Sequence, residues 1–122
     1  MSIKVEDGVS KQIIQEAGAG AAQLKIGQTI TVHCTGSLAG ADGAGDKKFW
    51  STKDPGQKAF TFEVGIGKVI RGWDVGCLTM KVGEKAVLTV RGDKGYGKSG
   101  FPAWGITPNA TLKFEIEVLS AE

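Results

Sequence analysis

Three stretches of this chain alternate apolar and polar residues, and that period of two constrains the fold more than any other feature. From Thr111 to Leu119, Leu112, Phe114, Ile116 and Val118 alternate with Thr111, Lys113, Glu115 and Glu117. From Thr29 to Thr35, Ile30, Val32 and Cys34 share one face, and Thr31, His33 and Thr35 the other. From Lys85 to Arg91, Ala86, Leu88 and Val90 fall together. Successive side chains of a strand point to opposite faces. Each stretch therefore predicts a strand with one buried and one wetted face, the antiparallel pattern. Phe60, Phe62 and Val64 mark a shorter strand, and Ser10 to Gln15 a further one. One segment breaks the period: Ile70, Trp73, Cys77 and Met80 recur at steps of three and four, the stripe of a short helix. Lys81-Val82-Gly83 ends it, Gly83 being able to take a left-handed cap.

The 122 residues suit one domain. With 41% hydrophobic residues, the chain can bury a core and is not disordered. Its 19 glycines against 3 prolines, with no triplet period, exclude collagen. They also disfavour a long helical bundle, since each interior glycine costs a helix about 1 kcal/mol. The glycines gather in Gly36–Asp46 (Gly36, Gly40, Gly43, Gly45) and in Gly92–Asn109 (Gly92, Gly95, Gly97, Gly100, Gly105), which predicts two long loops. The fold class expected is α+β: a twisted antiparallel sheet of about five strands with one short helix packed on it.

Fifteen basic and 13 acidic residues are interspersed and leave a net charge of +2, which gives no electrostatic case for nucleic acid or an anionic membrane as partner. Two cysteines and one histidine fall short of a disulfide scaffold or a four-ligand zinc site. The first residues lack the apolar run of a signal peptide and no stretch is long enough to span a bilayer, so the cytosol is the expected location.

Two motifs mislead. Gly92–Ser99 matches the phosphate-loop pattern, but such a loop needs a helix behind it whose amides cradle the phosphate. Gly100-Phe101-Pro102-Ala103-Trp104-Gly105 follows instead. His33 and Cys34 are strand neighbours, so their side chains diverge and cannot form a thiol–imidazole pair. No conventional acid, base or nucleophile stands out. What remains is aromatic. Tyr96, Phe101 and Trp104 sit in a glycine-rich loop, where large rings need a reason. They point either to an apolar cleft for a ligand or peptide, or to plain core.

Val32-His33-Cys34-Thr35-Gly36, Lys48-Phe49, Val69-Ile70-Arg71-Gly72-Trp73-Asp74 and Gly95-Tyr96-Gly97 resemble, in order, the landmarks of the FKBP immunophilins. These are peptidyl-prolyl cis–trans isomerases that bind tacrolimus and rapamycin. Phe49-Trp50-Ser51-Thr52-Lys53-Asp54 and Phe101 to Ile106 are similar to the plant and green-algal single-domain members. The resemblance implies residues 1–8 as an N-terminal extension and 9–122 as the isomerase domain, a half-barrel wrapped on one helix. It implies Trp73 as the floor of a proline pocket, and Phe49, Phe60, Val69, Ile70 and Phe114 as its walls. It gives the Tyr96 hydroxyl and the Ile70 amide as donors to ligand carbonyls, and Phe101, Trp104 and Ile106 as an overhanging loop. Tyr96, Ile70, Trp73 and Phe49 would carry catalysis.

Two positions depart from the family pattern. Cys34 stands where tyrosine is common at the rim, and Trp50 where aspartate is common; both changes make the site more apolar. No cofactor is implied. Proline-containing peptides and proteins and macrolides are the implied partners, with a TOR-type kinase or a phosphatase engaged when drug is bound. The alternative is a weakly active or inactive module that holds macrolide, peptide or protein in the same pocket.

Overall fold

The computed structural model describes residues 2–39 and 47–122. Seven strands form one antiparallel sheet: β1 (Ser2–Glu6), β2 (Val9–Gln15), β3 (Thr29–Leu38), β4 (Lys47–Ser51), β5 (Phe60–Glu63), β6 (Lys85–Val90) and β7 (Leu112–Ala121). The order is β1-β2-β6-β7-β3-β4, with β5 also paired to β3. The sheet does not close, and it wraps as a half-barrel around the single helix α1 (Arg71–Cys77). The alternating faces lie where their period puts them. Ile30, Val32, Cys34, Ala86, Leu88, Val90, Leu112, Phe114, Ile116 and Val118 are all buried in one core.

Two strands go beyond the five expected. β1, within the stretch read as an N-terminal extension, pairs antiparallel with β2. β4 pairs with the second half of β3. Gly36, expected in a loop, lies within β3, and its missing side chain has a packing cause: a Cβ there would sit 2.7 Å from Cζ of Phe49. The rest of that expected loop, residues 40–46, lies outside the described residues. The second glycine-rich segment is a loop as expected, folded into three 3-10 turns at Gly92–Lys94, Gly97–Ser99 and Pro102–Trp104.

β3 forks. Its first half, Thr29–Val32, pairs with β5, and Thr35–Leu38 pairs with β4. A fork leaves backbone groups at the junction without a ladder partner, and buried groups of that kind must be satisfied. Thr52 does so. Its N–H donates to the Cys34 carbonyl at 2.9 Å, and its Oγ1 accepts the Cys34 N–H at 2.9 Å. The same hydroxyl meets His33 Nδ1 at 2.9 Å. The Ser51-Thr52 step thus seals the split from which β4 and β5 diverge.

α1 is shorter than its apolar stripe. Trp73 and Cys77 lie on its turns, while Ile70 precedes it and Met80 follows it; Met80 is fully buried. Gly83 has φ +92°, but it serves the turn into β6, where its N–H donates to the Val118 carbonyl, rather than the helix end. Two helical glycines set the depth of packing. A Cβ on Gly72 would lie 2.5 Å from Val90 Cγ1, and one on Gly76 2.6 Å from Leu88 Cδ1. Spaced four apart, they let one face of the helix lie directly on β6. The helix is also fastened from outside the core. Lys11 on β2 is buried and its Nζ donates to Glu84 at 2.8 Å and to the Thr79 carbonyl at 2.9 Å.

Candidate functional site

The open end of the half-barrel holds a cleft of about 450 Å³. Trp73, from the first turn of α1, forms its floor and is 5% exposed. Its ring meets Phe114 of β7 edge to face (centroids 5.3 Å apart, 88°) and Phe60 of β5 at 5.8 Å and 77°. Such tilted contacts suit rings whose faces are negative and edges positive. Trp50 of β4 stands beside the floor at 6.3 Å and stacks on Trp104 of the third 3-10 turn at 5.7 Å and 12°. Val69, Ile70, Tyr96, Gly67 and Lys68 complete the lining.

All nine aromatic residues of the chain belong to one network of ring contacts around this cleft. Four residues expected in the pocket stand behind its surface. Phe49 stacks on Trp104 and edges onto Phe114, and Phe101 packs between Tyr96 and Trp104, so both form a second layer. Ile106 is 2% exposed and exchanges two backbone hydrogen bonds with Phe101, which tie the base of the loop rather than overhang the pocket. Cys34 is 1% exposed, in the core. It follows the parity of Ile30 and Val32, which faces the inside of the sheet, and so does not reach the rim. Gly67 and Lys68 are lining residues that pattern reasoning missed. Their one signal is adjacency to Val69-Ile70, since nothing else separates Lys68 from other loop lysines.

The stretch before the helix is held rigidly. Asp74 is buried, and its carboxylate accepts the N–H of Gly65 at 3.0 Å and of Gly67 at 2.8 Å. Ile70 caps α1, and its carbonyl accepts the N–H groups of Trp73 and Asp74. Its own N–H is one of the donors a helix start leaves over, and it has no partner among the described residues. The Tyr96 hydroxyl likewise has none. Partial burial raises the Tyr96 pKa above its ordinary value, so near neutral pH the phenol remains a proton donor. Among its rings and aliphatic groups the cleft thus offers these two uncommitted donors, besides the Lys68 ammonium and the buried Trp73 indole N–H, which also has no partner among the described residues.

Among the described residues, nothing around it supplies covalent chemistry. Burial pushes the Cys77 thiol up to about 12 and Cys34 well above its ordinary range, far from a thiolate nucleophile. Among the described residues no group of three or more His, Cys, Asp or Glu is placed to hold a metal ion. The Gly92–Ser99 segment turns twice as 3-10 and leads into no helix, so it forms no phosphate cradle. No helix among the described residues is long and apolar enough to cross a membrane.

Residues 20–119 match the model of the FKBP-type peptidyl-prolyl cis-trans isomerases. The chain belongs to this family. It is 57% identical over 115 residues to the peptidyl-prolyl cis-trans isomerase FKBP12 of Vicia faba, covering 94% of this chain and 99% of the relative. Its identity to FKBP12 of Arabidopsis thaliana is 56%, with the same coverage. FK506-binding protein 1 of Saccharomyces cerevisiae is 45% identical over 102 residues, which is 84% of this chain and 83% of that one. The half-barrel and its single helix are the fold of this FKBP family.

Proposed function

We propose that this protein isomerises X–Pro bonds of peptides and folding proteins, seating the proline ring on Trp73, and that tacrolimus- or rapamycin-type macrolides compete for the same cleft. The observation that carries this reading is the pair of uncommitted donors, Ile70 N–H and Tyr96 O–H, in a cleft otherwise lined mainly by rings and aliphatic groups. Rotation about a planar amide costs about 18–20 kcal/mol, because resonance is lost midway. The twisted amide carries less charge separation than the planar one. A dry aromatic cleft therefore favours the twisted state over the polar ground state, with no bond made or broken. Each 1.36 kcal/mol of that preference accelerates exchange about tenfold. The two donors hold carbonyls of the bound chain, which fixes the proline over the floor. The plant relatives are named as isomerases and the yeast relative as an FK506-binding protein, which supports both halves of the reading.

Trp50 favours a second reading, a module that holds its ligand with feeble turnover. The resemblance places aspartate there, whereas the indole is a donor only and stacks on Trp104. NMR exchange on an X–Pro peptide, run with and without rapamycin, separates the readings. Acceleration abolished by equimolar drug is expected. No acceleration above buffer overturns the isomerase reading, and turnover gained in Trp50→Asp selects the module.

A further inference from the structure

We propose that Lys68 makes this cleft selective for substrates with an acidic side chain next to the X–Pro bond. The inference rests on the isomerase reading and concerns which peptides the cleft prefers. Of the ten residues lining the cleft, Lys68 alone carries a charge. It is exposed, and no carboxylate pairs with it among the described residues. The acidic residues nearest it in sequence are engaged or turned away. Asp74, six positions on, is buried and held by the Gly65 and Gly67 amides. Glu63 alternates with Phe60 and Phe62 along β5, so it faces away from the rings.

The backbone that carries Lys68 is fixed, because Asp74 holds the Gly65–Gly67 turn and Ile70 starts the helix just beyond. The ammonium therefore works from an anchored root beside low-dielectric aromatic walls, where a single uncompensated charge has a focused field. A peptide whose proline rests on Trp73 brings its neighbouring side chains past this edge. A carboxylate there gains an ion pair, and a cationic side chain is repelled.

The test compares peptides differing only by glutamate or its neutral isostere glutamine, placed before or after the proline, with kcat/KM read by NMR exchange. The glutamate peptide is expected to be favoured about two- to fivefold at low salt at one of the two positions, the range of exposed ion pairs. The advantage should vanish in about 1 M salt and invert in Lys68→Glu. It should persist in Lys25→Glu, which makes the same charge change at a lysine outside the cleft. Glutamine peptides turned over with no glutamate advantage overturn this proposal alone, as does an advantage that survives Lys68→Glu. No acceleration of any peptide overturns the isomerase reading and this proposal with it.

Discussion

Tyr96→Phe isolates one donor of the cleft without disturbing its walls. The ring of Tyr96 is half-buried and packs on Phe101 at 5.5 Å, and phenylalanine preserves that contact. The hydroxyl has no partner among the described residues, so its removal orphans nothing in the protein. Fold stability should therefore stay within about 0.5 kcal/mol of the parent, the range of substitutions that break no feature. A hydrogen bond to a bound carbonyl is different, because it contributes about 0.5–1.5 kcal/mol net. At about 0.6 kcal/mol for RT, that predicts a loss of roughly 2- to 13-fold in kcat/KM and in macrolide affinity. Exchange kinetics and drug titration give these numbers, and a thermal melt serves as control. Trp73→Ala could not replace this experiment. Its ring touches Phe60, Phe62, Phe114 and Trp50, and deleting it costs the core about 3–5 kcal/mol whatever its role in binding. If Tyr96→Phe left both kcat/KM and drug affinity unchanged, the donor role would be refuted. A melt lowered by many degrees would refute the claim that the hydroxyl is uncommitted.

Two further perturbations test the fold beneath the site. Lys11→Met strands a buried Glu84 carboxylate and is expected to destabilise the protein by about 3–5 kcal/mol in urea unfolding, with most of it recovered in Lys11→Met/Glu84→Leu. A single variant as stable as the parent would refute the buried pair. Cys77 gives an alkaline signature. Below pH 9 its thiol is neutral whether folded or not; between 9 and about 12 the unfolded chain releases the proton while the folded one keeps it, so stability falls as pH rises. From pH 8 to pH 10 the parent should lose about 1.4 kcal/mol more than Cys77→Val. Equal losses in urea midpoints would show the thiol to be less buried than described.

How far the fold was legible depended on where a strand lies in the sheet. β3, β6 and β7 have neighbours on both sides and one face on the core, so burial imprints the period of two on their residues. β1 and β4 are terminal strands, with few buried positions to reveal the pattern. The helix stripe overran α1 because Ile70 and Met80 contact the same core from the flanking turns. At the site, the family motifs named Trp73 and most of the residues that line the cleft. They did not separate lining from second layer. Phe49, Phe101 and Ile106 differ from Trp50 and Trp104 by which ring lies in front, a relation between segments far apart in the chain. Cys34 divided the two readings: its parity put it inside, where it lies, whereas the family motif put it at the rim, which a small thiol on the core parity does not reach as a tyrosine would.

The place of β7 in the sheet has a consequence for biosynthesis. β7 is translated after every other element described, yet it lies between β6 and β3 and joins the two halves of the sheet. Until it emerges from the ribosome, β6 and β3 lack their shared neighbour and the cleft lacks Phe114. The nascent chain therefore cannot build this site progressively from its N-terminus. It must wait, with apolar faces uncovered, for one late strand to be inserted through contacts distant in sequence, the kind that form slowly. A prolyl isomerase built this way begins work only once β7 has been made, and the interval before β7 arrives is when it most needs protection from aggregation.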